Sequence, residues 1–251
     1  MTAPYYPECY ALVSGGKDSL STAQCLYEAG KLLGAVSFDT GISTPDWKAF
    51  VVKTCAARGW PLEMYRTGED YDNLVRKYGF PGPGKHGIFM NYLKGRCVRK
   101  FKAVHPDGVL ASGTRKSESA RRLNSTKPIS VWEGVPILTP IYDWTTEQTW
   151  AYFHKHGFER SPAYSMLPVS GDCLCGAFAV QGEYEAMRLA YPDVVARLDA
   201  LGEEIKLKHP TRCKWGWGFN QERKKSKKES AICVECGDAD PHNLFADPVT
   251  I

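Results

Sequence analysis

Six consecutive residues, Ser14-Gly15-Gly16-Lys17-Asp18-Ser19, combine the residue types that hold a phosphate. Two glycines let the backbone approach an anion closely. The apolar run Cys9 to Val13 precedes them, and Leu20, Ala23 and Leu26 follow at helical spacing up to Gly30. The hexapeptide is therefore expected where a buried strand enters a helix. The start of that helix offers unpaired N–H groups and a positive dipole end. Lys17 adds a mobile cation, and two serines add hydroxyl donors. The spacing of glycine and lysine is not that of a Walker A loop.

Two further polar loops follow apolar runs: Asp39-Thr40-Gly41 after Leu33 to Phe38, and Gly113-Thr114-Arg115 after Gly108 to Ser112. Asp39 reads either as a site residue or as a turn and cap residue. In an open parallel sheet, ligands bind beyond the carboxyl ends of the strands at a topological switch point. Three such loops would share one crevice.

The chain has nine cysteines. Cys9, Cys25 and Cys55 lie among apolar residues and read as core fillers. Cys173-Leu174-Cys175 and Cys233-Val234-Glu235-Cys236 are close pairs. Two such pairs offer four thiolates to an iron–sulfur cluster or to Zn2+. We assign Cys173, Cys175, Cys233 and Cys236 as one metal centre, with Cys97 and Cys213 as alternative ligands. In a reducing compartment such cysteines are metal or redox residues rather than disulfides.

These loops need strands and helices behind them. Trp60 to Tyr65 is a candidate third strand, and Pro136 to Ile141 is expected to be extended. Pro45 to Arg58 reads as a helix with proline early in it. Thr145 to His156 reads as a helix capped by Thr145 or Thr146. Alternating strands and helices predict an α/β fold with a parallel sheet covered on both faces. After Ser161 the pattern is broken by Gly, Pro, Cys and Lys, apart from a helical stretch over Glu183 to Ile205. The expected division is 1–160, a nucleotide-binding domain, and 161–251, a cysteine-containing basic segment.

The motifs resemble those of a known family. Ser14 to Ser19 is similar to the PP-loop of the ATP pyrophosphatases, which cleave ATP between the α and β phosphates. Asp39-Thr40-Gly41 with Pro45 and Asp46 resembles a segment of the phosphoadenosine phosphosulfate (PAPS) reductases. So do Gly113-Thr114-Arg115 with Glu118-Ser119 and Arg121-Arg122. Pro140 to Thr145, Trp150 and Ser161-Pro162-Ala163-Tyr164 match further segments in order, and Cys97 with Lys102 is similar to a pair in iron–sulfur relatives. The resemblance implies a Rossmann-like adenine nucleotide α-hydrolase fold. It also implies that the first loop holds phosphates, that Asp39, Thr40 and Gly41 lie near the adenosine, and that Arg115, Arg121 and Arg122 hold anionic groups.

Lys17 and Asp18 resemble the ATP-using members, the ATP sulfurylase small subunit and the sulfurtransferases that thiolate nucleic acids. PAPS reductases themselves carry a degenerate loop without them. The resemblance therefore implies ATP with Mg2+, catalytic roles for Lys17, Asp18 and Arg115, and a [4Fe-4S] cluster, with Zn2+ as the alternative. The expected activity is adenylation of an acceptor, followed by sulfur transfer to a nucleic acid or metabolite. Reduction of PAPS or adenylyl sulfate to sulfite is the second reading. There Cys236, in Glu235-Cys236-Gly237, would be the nucleophile; the histidine expected soon after Gly237 is absent. A non-catalytic nucleotide- or nucleic-acid-binding module is the third.

Charge bears on partners. Lys206 to Lys228 holds nine Lys or Arg against one acid, Glu222, within a chain of net charge +4. It reads either as a solvated loop or as a footprint for a nucleic acid. Trp215 and Trp217 within it suit base stacking or packing equally. A sulfur-donor protein is a further expected partner. A 43% hydrophobic, 24% charged composition excludes a wholly disordered chain. No apolar run reaches the length of a membrane span, and the first residues lack a basic, apolar leader. The expected location is cytoplasmic, without membrane contact.

Overall fold

The computed structural model describes residues 6–68, 70–118 and 126–220. Six strands form one sheet: β1 Cys9–Leu12, β2 Leu32–Asp39, β3 Leu62–Arg66, β4 Leu110–Ala111, β5 Ile129–Trp132 and β6 Val135–Leu138. Their order is β3-β2-β1-β4-β6-β5. All neighbours are parallel except β5 and β6. The chain leaves β1 for β2 on one side and reaches β4 on the other, so the switch point lies between β1 and β4.

Helices α1 Lys17–Glu28, α2 Trp47–Ala57, α3 Tyr71–Tyr78, α4 His86–Met90 and α5 Arg96–Val104 connect or flank these strands. A π-helical turn, Asn91–Gly95, joins α4 to α5. The sheet centre is apolar on both sides: Ala11, Ala35, Val36, Leu110 and Ala111 are all fully buried. Burial on both faces explains the apolar runs that marked β1, β2 and β4.

Three elements differ from expectation. Helix α2 starts at Trp47, with Pro45 in the turn before its Asp46 cap, because Trp47 N bonds back to Thr44 O. Strand β5 was not anticipated. It pairs with β6 across Glu133 and Gly134, both at positive φ, as in a tight hairpin turn. Its Ile129 and Val131 are exposed, so it lacks the run of buried residues that marks a central strand. The stretch over 183–205 is two helices, α7 Glu183–Ala190 and α8 Pro192–Ile205, divided where Pro192 opens the second. The intervening α6, Thr146–Lys155, has the expected Thr145 cap, completed by Gln148 as a capping box.

Among the described residues beyond 160 there is no strand. The described part of that segment closes with the short helix α9, Trp217–Asn220, and shares one apolar cluster with α3 and α4. Leu174, Met187, Leu198 and Trp215 pack there with Tyr71, Leu74 and Phe89. Among the described residues no helix is long and apolar enough to cross a membrane.

Candidate functional site

The first loop leaves β1 at Leu12 and enters α1 at Lys17. Gly15 has φ +89° and faces the Phe50 ring, 3.2 Å from where a Cβ would sit, so glycine is required. Trp47, buried in α2, donates from Nε1 to Ser14 O at 2.7 Å and pins the loop. Ser19 Oγ donates to Gly16 O at 2.9 Å and accepts from Ser14 N at 3.2 Å. Gly16, the N-cap of α1, supplies no side-chain acceptor to the first turn. An uncapped first turn of this kind can receive an anion on its N–H groups.

Asp18 is held from two sides. Arg115, fully buried, donates from Nε to Asp18 Oδ1 at 2.6 Å. Lys17 Nζ lies 3.2 Å from Asp18 Oδ2. The Arg115 fork continues to Ser117 Oγ and Thr146 Oγ1. Gly113 permits this join, because a Cβ there would lie 2.7 Å from the Asp18 carbonyl carbon. The Asp18 carboxylate thus meets two cations, one on each oxygen.

A cleft of about 520 Å³ opens above the switch point. Leu12, Val36, Phe38, Trp132 and Ile137 give it apolar walls. Ser14, Gly16, Asp18, Ser19, Ser112, Gly113 and Thr114 give it polar ones. Lys94, Tyr164, Ser170, Asp172 and Cys173 also line it. Thr40 Oγ1 bonds Asp172 O, Thr44 N bonds Gly171 O, and Leu174 N bonds Ile42 O, so the second loop carries the cysteine loop. Lys94 Nζ lies 2.8 Å from Asp172 Oδ2, and Ser170 Oγ donates to Asp172 Oδ1 at 2.9 Å. Burial opposes the charge on Lys94, but Asp172 and Cys173 outweigh it and keep its pKa above the ordinary range.

Cys173 sits beside this pair. A hydrogen bond from the Cys175 thiol, with help from the Lys94 ammonium and against burial, lowers its pKa to about 7. Cys175 is pushed well above the ordinary range by that same bond and by burial. Cys97 lies apart in α5, where its thiol faces the carbonyls of Leu93 and Tyr65, and burial raises it to about 11. Cys213 Sγ donates to Pro210 O.

Of the residues marked in the sequence, Ser14, Gly16, Asp18, Ser19, Gly113, Thr114, Glu118, Tyr164 and Cys173 line this cleft. Lys17 and Arg115 stand behind Asp18 rather than on the lining. Asp39 Oδ1 accepts from Gly41 N at 2.9 Å, a turn within its own loop. Arg121, Arg122, Cys233 and Cys236 lie outside the described residues. Among the described residues, no three His, Cys, Asp or Glu side chains gather to hold a metal. The Cys173–Cys175 pair offers only two thiolates of the four that a closed site uses.

Part of the basic stretch has structural partners. Lys208 Nζ donates to Arg76 O and Arg212 to Tyr78 O, which satisfies carbonyls at the end of α3. Trp215 is buried and donates to Leu174 O at 2.7 Å, while Trp217 donates to Phe80 O. Both tryptophans are packing residues here. Lys94, Ser170 and Asp172 were missed in the sequence, where isolated polar residues in a glycine-rich stretch give no periodic signal.

A sequence model of the phosphoadenosine phosphosulfate reductase domain matches residues 8–167, the span holding the sheet and the three loops. The chain belongs to the phosphoadenosine phosphosulfate reductase domain family. The fold of this family member is similar to several solved structures. A PAPS reductase from Candida auris, solved with phosphate, is 18% identical over 63% of this chain and 77% of its own, with a TM-score of 0.48. A tRNA thiolase from Methanococcus maripaludis, solved with its [4Fe-4S] cluster, is 15% identical over 84% and 69%, with a TM-score of 0.50. An FMN adenylyltransferase from Candida glabrata, solved with FAD and inorganic pyrophosphate, is 16% identical over 66% and 55%, with a TM-score of 0.48. The chain thus spans about half of that adenylyltransferase. No curated protein sequence matches it. The family's fold is the Rossmann-like one of the adenine nucleotide α-hydrolases.

Proposed function

We propose that this member of the family binds ATP with Mg2+ in the cleft and cleaves it to AMP and pyrophosphate, adenylating an acceptor. The observation that carries the reading is Asp18, which faces the cleft while Arg115 and Lys17 hold it. An adenosine needs apolar walls and a triphosphate needs N–H donors and positive charge; the cleft offers both. Mg2+ is held chiefly by phosphate oxygens and water, with one or two carboxylates, and Asp18 is placed to be one. It would share oxygens already bonded to Arg115 and Lys17. When bound, the ion screens phosphate charge.

In the proposed reaction an acceptor oxygen attacks the α-phosphorus. The bond from that phosphorus to the bridging oxygen breaks, and pyrophosphate leaves with the electron pair. The first-turn N–H groups of α1 and the cations behind Asp18 stabilise the charge that develops on it. A sulfur nucleophile then displaces AMP, which takes the acceptor oxygen with it. We propose a nucleic acid or a metabolite as acceptor and a sulfur-donor protein as the source. We further propose that Cys173, Cys175, Cys233 and Cys236 hold one [4Fe-4S] cluster, with Zn2+ as the alternative. A thiol lowered to about 7 fits a thiolate ligand at Cys173. Where the acceptor is a nucleic acid, Lys224, Lys225, Lys227 and Lys228, which lie outside the described residues, are its expected contacts.

The second reading, reduction of PAPS or adenylyl sulfate to sulfite, is favoured by the family match itself. Calorimetry separates the two. Mg-ATP is expected to bind more tightly than PAPS, and Lys17→Ala or Asp18→Asn to weaken ATP binding and stop pyrophosphate release. Tighter PAPS binding, indifferent to Lys17→Ala, would favour the reductase. Nucleotide binding without pyrophosphate release, whatever the acceptor, would favour a non-catalytic module.

A further inference from the structure

Beside the phosphate loop stands a group of donors that the proposed reaction has not used. Arg160 follows α6 and is half-buried. Its guanidinium carbon lies 4.9 Å from the centre of the Tyr164 ring and 5.5 Å from that of Trp150. Lys17 Nζ lies 5.5 Å from the centre of the same Trp150 ring. Trp150 is buried in α6 and also stacks on His154. Tyr164 lines the cleft, and its hydroxyl is 3.3 Å from where a Cβ on Gly16 would be. The cluster therefore abuts the glycine turn of the loop.

Two donors in this cluster are buried and lack an acceptor among the described residues: Arg160 Nε and Trp150 Nε1. Among those residues Arg160 also has no carboxylate partner. Buried donors are ordinarily matched, and an unmatched one costs about 1–3 kcal/mol. Cation–π contact with two rings holds the guanidinium beside them without using its N–H groups. A planar fork held in place, with a second cation on the same ring, suits an anion with several acceptor oxygens.

We infer that Arg160 is a further phosphate-binding residue, which contacts the pyrophosphate half of the nucleotide next to Gly16. This rests on the proposed use of ATP. Arg160 binds the group that leaves, so its contribution grows as charge builds on pyrophosphate. Tyr164 orients it and closes the cleft beside it.

The test measures binding of ATP, AMP and inorganic pyrophosphate by calorimetry, each with Mg2+, to the wild-type chain and to Arg160→Gln and Arg160→Lys. Thermal midpoints check that the variants fold. Arg160→Gln is expected to lose about tenfold or more in affinity for ATP and pyrophosphate, the scale of one charge-assisted bond. AMP affinity stays unchanged, and Arg160→Lys recovers part of the loss. If a folded Arg160→Gln binds ATP and pyrophosphate as tightly as the wild type does, the inference fails and the ATP reading stands. Equal losses for AMP and pyrophosphate would mark a structural role and overturn it too. A wild-type chain that binds neither ATP nor pyrophosphate would remove both.

Discussion

Arg115 and Asp18 lie 97 positions apart in sequence, yet Nε of the first donates to Oδ1 of the second at 2.6 Å with the arginine fully buried. The pair joins the β4 loop to the start of α1, and so sets the width of the cleft between them.

Breaking this pair is expected to cost more than replacing it. Asp18→Ala leaves a buried guanidinium without its carboxylate, a loss of about 3 kcal/mol or more. Arg115→Met should cost less, and the double variant less than the sum of the two. Urea unfolding of all three measures the coupling. Additive losses would show that the pair does not act as a unit.

Gly113→Ala tests the close approach at the same join. The added Cβ would meet the Asp18 backbone at 2.7 Å, where no flexible side chain can yield. A loss of about 1–3 kcal/mol is expected from overpacking, together with weaker nucleotide binding. Unchanged unfolding and calorimetry would mean that the loops can part without consequence.

The proposed metal centre is tested by composition. Iron, zinc and sulfide are measured in anaerobically purified protein and in single cysteine variants. Metal is expected to fall with loss of Cys173, Cys175, Cys233 or Cys236, and to survive loss of Cys97, whose thiol is buried against carbonyls. Metal retained without both Cys233 and Cys236 would point to the reductase-like role for Cys236. Chelation is expected to leave the apolar sheet core folded.

The basic stretch makes a prediction about salt. If it binds a nucleic acid, log affinity should fall linearly with log salt concentration. Replacing Lys224, Lys225, Lys227 and Lys228 together should flatten that line. Lys208→Ala and Arg212→Ala should act on stability instead, since these side chains serve α3. An unaltered slope in the quadruple variant would leave the stretch a solvated surface.

Glu63 on β3 should add an acid-sensitive step to stability. Burial pulls its pKa up, but the Tyr65 hydroxyl and the His105 ring outweigh this and hold it below the ordinary carboxylate range. His105 Nε2 lies 3.0 Å from both carboxylate oxygens, and Tyr10 bonds its other nitrogen. A lowered folded pKa means stability present above the unfolded value of about 4.3 and lost as pH falls through the folded value. Glu63→Gln should flatten the curve of unfolding free energy below about pH 5. An unchanged acid limb would show that other carboxylates set it.

The sequence alone determined the loop at 14–19, the strands behind it and the family they resemble. Those features are local. Buried parallel strands are continuous apolar runs, and the glycine turn must be contiguous to cradle an anion. The antiparallel β5 escaped because two of its four residues are exposed apolar side chains on an edge. Lys17 read as a mobile cation at the phosphates because its neighbours in sequence are all that a motif displays. Only the tertiary structure set it over Trp150 and brought Arg115 onto the neighbouring Asp18. Tertiary structure likewise buried Arg115 and carried Lys94 and Asp172 to the cleft from segments 78 residues apart. Such placements depend on which surfaces pack across the sheet. No window of sequence holds both partners of a contact that the fold closes over that distance.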